Sequence, residues 1–154
     1  MARARHAGAL AHAAQGVGYA PEDRRLVPEF SVEDNIVLPA LALRLPAAER
    51  GRWLDEVYAL LPQLKTMRKR PGGVSGGQGK MVALGRALMV ARTALLLDEP
   101  FQGFAPALAL DYARTLGELR RSRPDLAILV TESTPALLDA IVGEALQIEH
   151  GAIT

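Results

Sequence analysis

The sequence predicts an α/β fold in which a parallel sheet sits beside an inserted helical lobe, and three observations carry that expectation. Thr93 to Leu97 and Leu126 to Thr131 are unbroken apolar runs of strand length, the pattern of parallel strands covered on both faces. Between them, Leu108, Tyr112, Leu116 and Leu119 recur at helical spacing from Pro106 to about Arg121. Upstream, the stretch from Ser31 to Ala91 is helical in pattern with no strand in it, so strands alternating with helices are joined to a run of consecutive helices.

Size and charge narrow the possibilities. The 154 residues, 49% of them hydrophobic, suffice for one domain with a core and not for two. With 18 basic and 17 acidic residues the net charge is +1, so no overall field favours nucleic acid or an anionic membrane, and the basic run Lys65 to Arg70 reads as a solvated loop. The absence of cysteine excludes disulfides and thiolate metal sites and fits a reducing compartment. His6, His12 and His150 lack ligand-like spacing. The segment Met1 to Gln15 is too weakly apolar for a signal peptide, and no uncharged apolar run is long enough to span a bilayer.

In chain order, Gln15 to Ala20 reads as a strand running into the charged loop Pro21 to Arg25. Ser31 and Asp34 have capping-box spacing and open a helix whose apolar residues are Ile36, Val37, Leu38 and Leu41. A second helix starts at Pro46, carries Trp53, Leu54, Val57, Leu60 and Leu61, and stops at Pro62, which makes Trp53 a core residue. After a loop from Gln63 to Gly73, a third helix runs from about Ser75 to Ala91. Beyond the two apolar strands, Pro135 to Val142 reads as a short helix and Ala145 to Glu149 as a further strand turning at Gly151.

Val74-Ser75-Gly76-Gly77-Gln78 is the stretch with the clearest chemical use. Ser75 is placed to cap the following helix, and Gly76 and Gly77 leave main-chain N–H groups uncovered, so the helix N-terminus suits an anion such as phosphate. Two overlapping patterns fail. Gly73 to Gly77 fits G-x-S-x-G with His150 downstream, but a nucleophile elbow needs an apolar strand before it, and Lys65 to Pro71 is charged and closed by proline. Gly79-Lys80 resembles the end of a phosphate-binding P-loop, but Val74 stands where Gly is needed, Met81 where Ser or Thr is needed, and no strand precedes it.

In an open parallel sheet ligands bind beyond the carboxyl ends of the strands, where Asp98 and Glu99 fall. A carboxylate there can hold Mg²⁺ through its water shell, and a second beside it can deprotonate an attacking water. The plainer reading, that both cap the next helix or bind a loop amide, is less favoured because four apolar residues lead straight into Asp98-Glu99-Pro100.

These residues resemble a family, the ATP-binding subunits of ABC transporters. Val74 to Gln78 is similar to the family's signature motif and Ala94 to Pro100 to its Walker B segment, at matching separation. Gly16 to Arg25, Met81 with Gly85 to Met89, and Gly103 to Pro106 are most similar to subunits driving branched-chain amino acid importers, and the resemblance runs from about Gln15 to the end. It implies a P-loop NTPase-like parallel sheet lacking its first part, with a helical lobe over about residues 31–91 and an α/β portion over about 92–154. It also implies ATP and Mg²⁺ as cofactors, with Ser75, Gly76, Gly77 and Gln78 touching ATP held by an opposite subunit. Asp98 supports Mg²⁺ through water, Glu99 is the general base, and Glu22 stands at the Q-loop position. Gly103 to Pro106 stands at the D-loop of a head-to-tail dimer. The implied partners are a second ATP-binding subunit and transmembrane permease subunits, with the chain held peripherally on the cytoplasmic face of the inner membrane.

Two departures qualify the resemblance. The switch position, His or Gln in relatives of this type, falls at Ser133, a poor substitute for a group that reaches a γ-phosphate. No G-x-x-x-x-G-K-[ST] occurs in the 154 residues, and the resemblance puts the absent strand between Leu126 to Thr131 and Ala145 to Glu149, leaving two strand edges exposed. Three readings follow: the C-terminal portion of an importer ATPase, a short protein lending its signature to a full-length partner, or a non-catalytic module binding membrane subunits through the lobe and the Glu22 loop. Retention of both Asp98 and Glu99 favours the first. Hydrogen bonds to charged groups are worth roughly 1.5–3 kcal/mol each, so losing three P-loop donors costs on the order of 5 kcal/mol. That is several thousandfold in affinity, roughly. Titration calorimetry of the 154-residue chain with MgATP is therefore expected to show no micromolar binding.

Overall fold

The computed structural model describes residues 8–133, 135–138, 141 and 143–153. Helix α1 (Ala9–Ala14) leads through Gly16, whose positive φ of 81° suits a glycine, into strand β1 (Val17–Ala20). Helices α2 (Val32–Ala42), α3 (Ala47–Leu60), α4 (Pro62–Thr66) and α5 (Gly76–Leu88) follow. Strand β2 (Ala94–Asp98), helix α6 (Pro106–Ser122) and strand β3 (Ala127–Thr131) complete the main layer. A 3₁₀ turn at Pro135–Leu137 and the short strands β4 (Ile148–Glu149) and β5 (Ala152–Ile153) end the chain.

β1, β2 and β3 form one parallel sheet in that order, with Gly18 opposite Leu95 and Leu95 opposite Ile128. β1 precedes the helical run in sequence yet pairs with β2 after it, so α2 to α5 are an insertion between neighbouring strands. Helix α5 lies along β1 and packs on α2 as well. Gly18 makes that approach possible: a Cβ there would stand 2.3 Å from the Ala87 carbonyl oxygen and 2.8 Å from Ala91 Cβ. On the helix's other side, a Cβ at Gly85 would meet Leu64 Cδ1 at 2.9 Å. One continuous core results, from Ile36, Leu61 and Leu64 in the lobe through Leu84 to Leu95, Leu97, Tyr112 and Leu116.

The capping box forms as expected: Asp34 N–H donates to Ser31 Oγ at 3.1 Å, and Ser31 N–H donates to Asp34 Oδ2 at 3.3 Å. Other expectations need correction. The second helix does stop before Pro62, at Leu60, but the loop expected from Gln63 begins instead as α4, with Pro62 in its first turn, where its missing N–H costs no hydrogen bond, and with Leu64 completely buried. Trp53 is half-buried rather than core. Its ring lies under the Arg92 guanidinium at 3.8 Å and lines a cleft of about 650 Å³ between α3 and the C-terminal end of α6, floored by Val57, Leu60, Leu88 and Leu119. Of the helix expected over residues 135–142, Pro135–Leu137 form a 3₁₀ turn, and residues 139, 140 and 142 lie outside the described residues, as does His6.

The sheet is covered on one face only. Tyr19, Leu96 and Leu129 stand in register on the other face, with Tyr19 50% and Leu129 60% exposed, so the two-sided covering expected of these strands is not found. The strand expected over Ala145 to Glu149 does not join the sheet either. Its last residues, Ile148 and Glu149, pair antiparallel with Ala152 and Ile153 through a turn at His150 and Gly151, both at positive φ. β3 thus has one hydrogen-bonded neighbour, β2, and its other edge is open among the described residues. Open apolar edges template association. Leu129→Lys is expected to lower concentration-dependent light scattering while changing unfolding free energy by no more than about 0.5 kcal/mol, as for a surface substitution.

Candidate functional site

The loop entering α5 is stitched to the start of α2. Val32 N–H donates to the Arg70 carbonyl at 2.9 Å, Glu33 N–H to the Arg68 carbonyl at 3.0 Å, and Gly72 N–H to the Phe30 carbonyl at 2.6 Å. Asn35, fully buried, holds the same junction from beneath. Its Oδ1 accepts from Val27 N–H at 2.8 Å, while its Nδ2 donates to the carbonyls of Val27 at 2.9 Å and Ser31 at 3.0 Å. A side chain at Gly72 would strike Val27 O and Asn35 Nδ2, so the glycine is dictated by packing.

Ser75 takes the extended N-cap conformation, and its N–H donates to Gln78 Oε1 at 3.3 Å, so the Gln78 amide reaches back over the first turn. Ser75 and Gly76 are exposed, and the helix opens onto solvent with no acidic residue in its first turn. That leaves the positive end of the α5 dipole free for an anion. The two glycines differ in use. The space a Cβ would occupy at Gly76 is open except for Arg24 Nη1 at 3.6 Å, whereas at Gly77 it is filled by Leu108 Cδ2 at 2.3 Å and the Phe104 ring at 3.1 Å. Of the two glycines expected to clear the way for a ligand, Gly76 has open space beside it, whereas Gly77 admits the helix beginning at Pro106. Phe104 in turn packs on Tyr112 with ring centroids 5.2 Å apart, and Gly103 turns the chain at φ 77°.

Asp98 ends β2 on the uncovered face. Its Oδ1 accepts from Thr131 Oγ1 at 2.8 Å and its Oδ2 from the Tyr19 hydroxyl at 3.2 Å, so residues of both flanking strands orient it. Burial, followed by the Asp98 hydrogen bond, raises the Tyr19 phenol above its usual range and keeps it a donor. Among the described residues no group of three or more His, Cys, Asp or Glu side chains could enclose a metal. Asp98 suits a Mg²⁺ that keeps most of its waters, which needs one or two carboxylates and not a cage.

Glu99 has φ 44°, a left-handed conformation that costs a non-glycine residue on the order of 1–3 kcal/mol. Both its peptide groups are tied: Glu99 N–H donates to the Thr131 carbonyl at 3.0 Å, and its own carbonyl accepts from Lys80 Nζ at 2.6 Å and Gln102 N–H at 3.3 Å. Ser133 donates to Glu99 Oε2 from its amide at 3.3 Å and its hydroxyl at 3.1 Å. Burial pushes the Glu99 carboxyl up, but hydrogen bonding with Glu132 and with Ser133 outweighs it, and Glu99 is held below its ordinary value, ionised at neutral pH. Ser133, at the switch position and expected to be a poor substitute for a group that reaches a γ-phosphate, is engaged with the carboxylate.

Glu22 is exposed in the turn after β1. Arg24 and Arg25 follow it, at φ 64° and 46°. Arg86 of α5 secures them, donating from Nη1 to the Arg25 carbonyl at 2.7 Å and from Nη2 to the Arg24 carbonyl. Arg24 reaches the other end of the same helix, Nη1 to the Gly76 carbonyl, at 3.4 Å. Lys80, Arg86, Tyr19 and Thr131 were not identified from sequence. Lys80 carried a signal, a cation in a helix face otherwise apolar, but the P-loop comparison used it up.

Residues 3–102 match the family profile described as ABC transporter. The molybdate/tungstate import ATP-binding protein WtpC of Thermococcus kodakarensis is 32% identical over 127 residues, covering 82% of this chain and 38% of WtpC. The high-affinity branched-chain amino acid transport ATP-binding protein BraG of Pseudomonas aeruginosa is 31% identical over 140 residues, covering 90% of this chain and 58% of BraG. The chain thus spans at most 58% of the length of these two relatives. A crystal structure of a nucleotide-free ATP-binding cassette from an ABC transporter superposes with a TM-score of 0.74 at 23% identity, covering 94% of this chain and 61% of that one, which shows the fold. Relatives named for different cargoes match about equally well, so the branched-chain amino acid type is not singled out.

The Arg86 clasp is open to a direct test. Arg86→Met removes two charge-assisted hydrogen bonds, and limited trypsin digestion is expected to cut after Arg24 and Arg25 roughly tenfold faster or more. An unchanged cleavage rate would show the loop to be held by other means.

Proposed function

Because the chain belongs to the ABC transporter family, we propose that it is the signature- and Walker B-bearing portion of the ATP-binding subunit of an importer, with branched-chain amino acids as the transported class. The observation that carries the reading is that one chain brings a solvent-facing helix N-terminus at Ser75 and Gly76 and an oriented Asp98–Glu99 pair onto a single α/β scaffold. The cargo class rests on the resemblance of Gly16 to Arg25, Met81 with Gly85 to Met89, and Gly103 to Pro106, and BraG is a relative named for that class.

In this reading Ser75, Gly76, Gly77 and Gln78 meet the terminal phosphate of ATP held across a head-to-tail dimer. Gly76 is the point of close approach, and Gln78 and Leu108 keep the turn rigid. Asp98 holds Mg²⁺ through water, which supplies charge neutralisation at the phosphates when bound. Glu99, ionised, accepts a proton from the attacking water. Glu22 meets the permease subunits, which place the assembly on the cytoplasmic face of the inner membrane. The P-loop comes from a segment beyond these residues or from another polypeptide. A second reading is favoured by Ser133, whose hydroxyl is committed to Glu99: the chain is then a non-catalytic partner lending its signature to a full-length ATPase subunit.

One experiment separates the two. The chain is joined at its N-terminus to the P-loop portion of a full-length importer ATP-binding subunit, and separately mixed as it is with an intact subunit. In the catalytic reading the joined protein hydrolyses MgATP, and Glu99→Gln lowers kcat by about 10²–10⁴-fold, the usual contribution of a general base. In the lending reading the mixture hydrolyses faster than the intact subunit alone, Gly76→Asp abolishes the gain and Glu99→Gln leaves it unchanged. Hydrolysis indifferent to both substitutions in both formats would overturn the assignment.

A further inference from the structure

Lys80 is 9% exposed, and with Asn35 it makes up the buried polar or charged residues among those described. A buried ammonium is expensive unless paired. Its partner is a main-chain carbonyl, that of Glu99, at 2.6 Å, and not a carboxylate in direct contact. Burial disfavours its ammonium, the negative charges of Glu22, Glu132 and Glu99 favour it, and the like charge of Arg24 opposes it. Lys80 lies one turn into α5, five residues after Ser75, in the stretch where the helix is buried on all sides. The carbonyl it holds belongs to the residue in the left-handed conformation, whose side chain is fastened to Ser133 and whose N–H is fastened to Thr131.

We propose that Lys80 is a positioning residue: by gripping the Glu99 carbonyl it fixes the left-handed turn that aims the Glu99 carboxylate, and it ties that carboxylate rigidly to the first turn of α5. The proposal rests on the reading of Glu99 and Ser75 given above. Under that reading the two ends of the tie face different nucleotides in a head-to-tail pair, because the helix N-terminus addresses the ATP held by the partner and Glu99 the ATP on its own side. A displacement of the α5 N-terminus on meeting phosphate is then transmitted through the Lys80 amine to the peptide of Glu99. No other side chain of α5 is hydrogen-bonded to Glu99 among the described residues.

The test uses ¹⁵N-labelled full chain with Lys80→Met, which keeps the stem and removes the buried charge, and Lys80→Arg, which keeps a cationic donor. With Lys80→Met the Glu99 and Ser133 amide resonances are expected to shift by more than a linewidth, and exchange of the Glu99 amide to quicken about tenfold or more as its peptide loosens. Lys80→Arg restores both. A merely structural lysine would instead alter signals along α5 and leave Glu99 and Ser133 in place, and that result overturns the proposal. Should Lys80→Met not fold, Lys80→Leu, apolar and without a donor, is read in the same way. In the joined protein, Lys80→Met lowers kcat with KM unchanged; a raised KM at constant kcat also overturns it. If Glu99→Gln leaves hydrolysis untouched, the functional reading fails while the spectra still decide whether the tie exists.

Discussion

Helix α5 has no free face beyond its first turn, and the architecture follows from that constraint. From Gly79 to Leu88 every residue but Arg86 is buried. One side of the helix lies against β1 where Gly18 has no side chain, and another lies against the lobe where Gly85 has none. A helix enclosed this way cannot slide or roll without displacing either the sheet or the lobe, because close-packed interiors have no slack. Its exposed N-terminus is consequently aimed by the whole molecule. The polar side chains of this helix make specific contacts: Lys80 and Arg86 donate to main-chain carbonyls.

The chemistry at the end of β2 is arranged by neighbours in the sheet. Asp98 is gripped by a tyrosine of β1 and a threonine of β3, and Glu99 by the segment that continues β3. The two carboxylates are adjacent in sequence yet differ in conformation, because the chain turns left-handed between them. Consecutive strand residues would place side chains on opposite faces in any case. The turn at Glu99 adds a second displacement and brings its carboxylate to Ser133.

How much of this could be read from sequence depends on the range of the interactions. The Ser31–Asp34 cap, the α6 pattern and the two apolar strands were legible because each is decided within a few residues. So was the signature-like turn into α5, though the Gln78 reach-back is seen only in the structure. What was misread depends on contacts distant in the chain. The residues after Pro62 look like a loop until Leu64 is seen buried against α5. Gly77 looks like a ligand clearance until Leu108 is seen filling it. Ile148 and Glu149 look like another sheet strand, but the described residues place nothing on the far edge of β3 for a parallel strand to extend.

The cleft beside Trp53 has a consequence of its own. This is the single tryptophan of the chain, and it belongs to α3, whereas the guanidinium stacked on it belongs to the segment just before β2 and is also paired with Glu56 at 2.9 Å. Indole and cation therefore straddle the seam between lobe and sheet. Rotation of one against the other would unstack them and let water reach the ring, so the native emission of this one indole reports on the seam without a label.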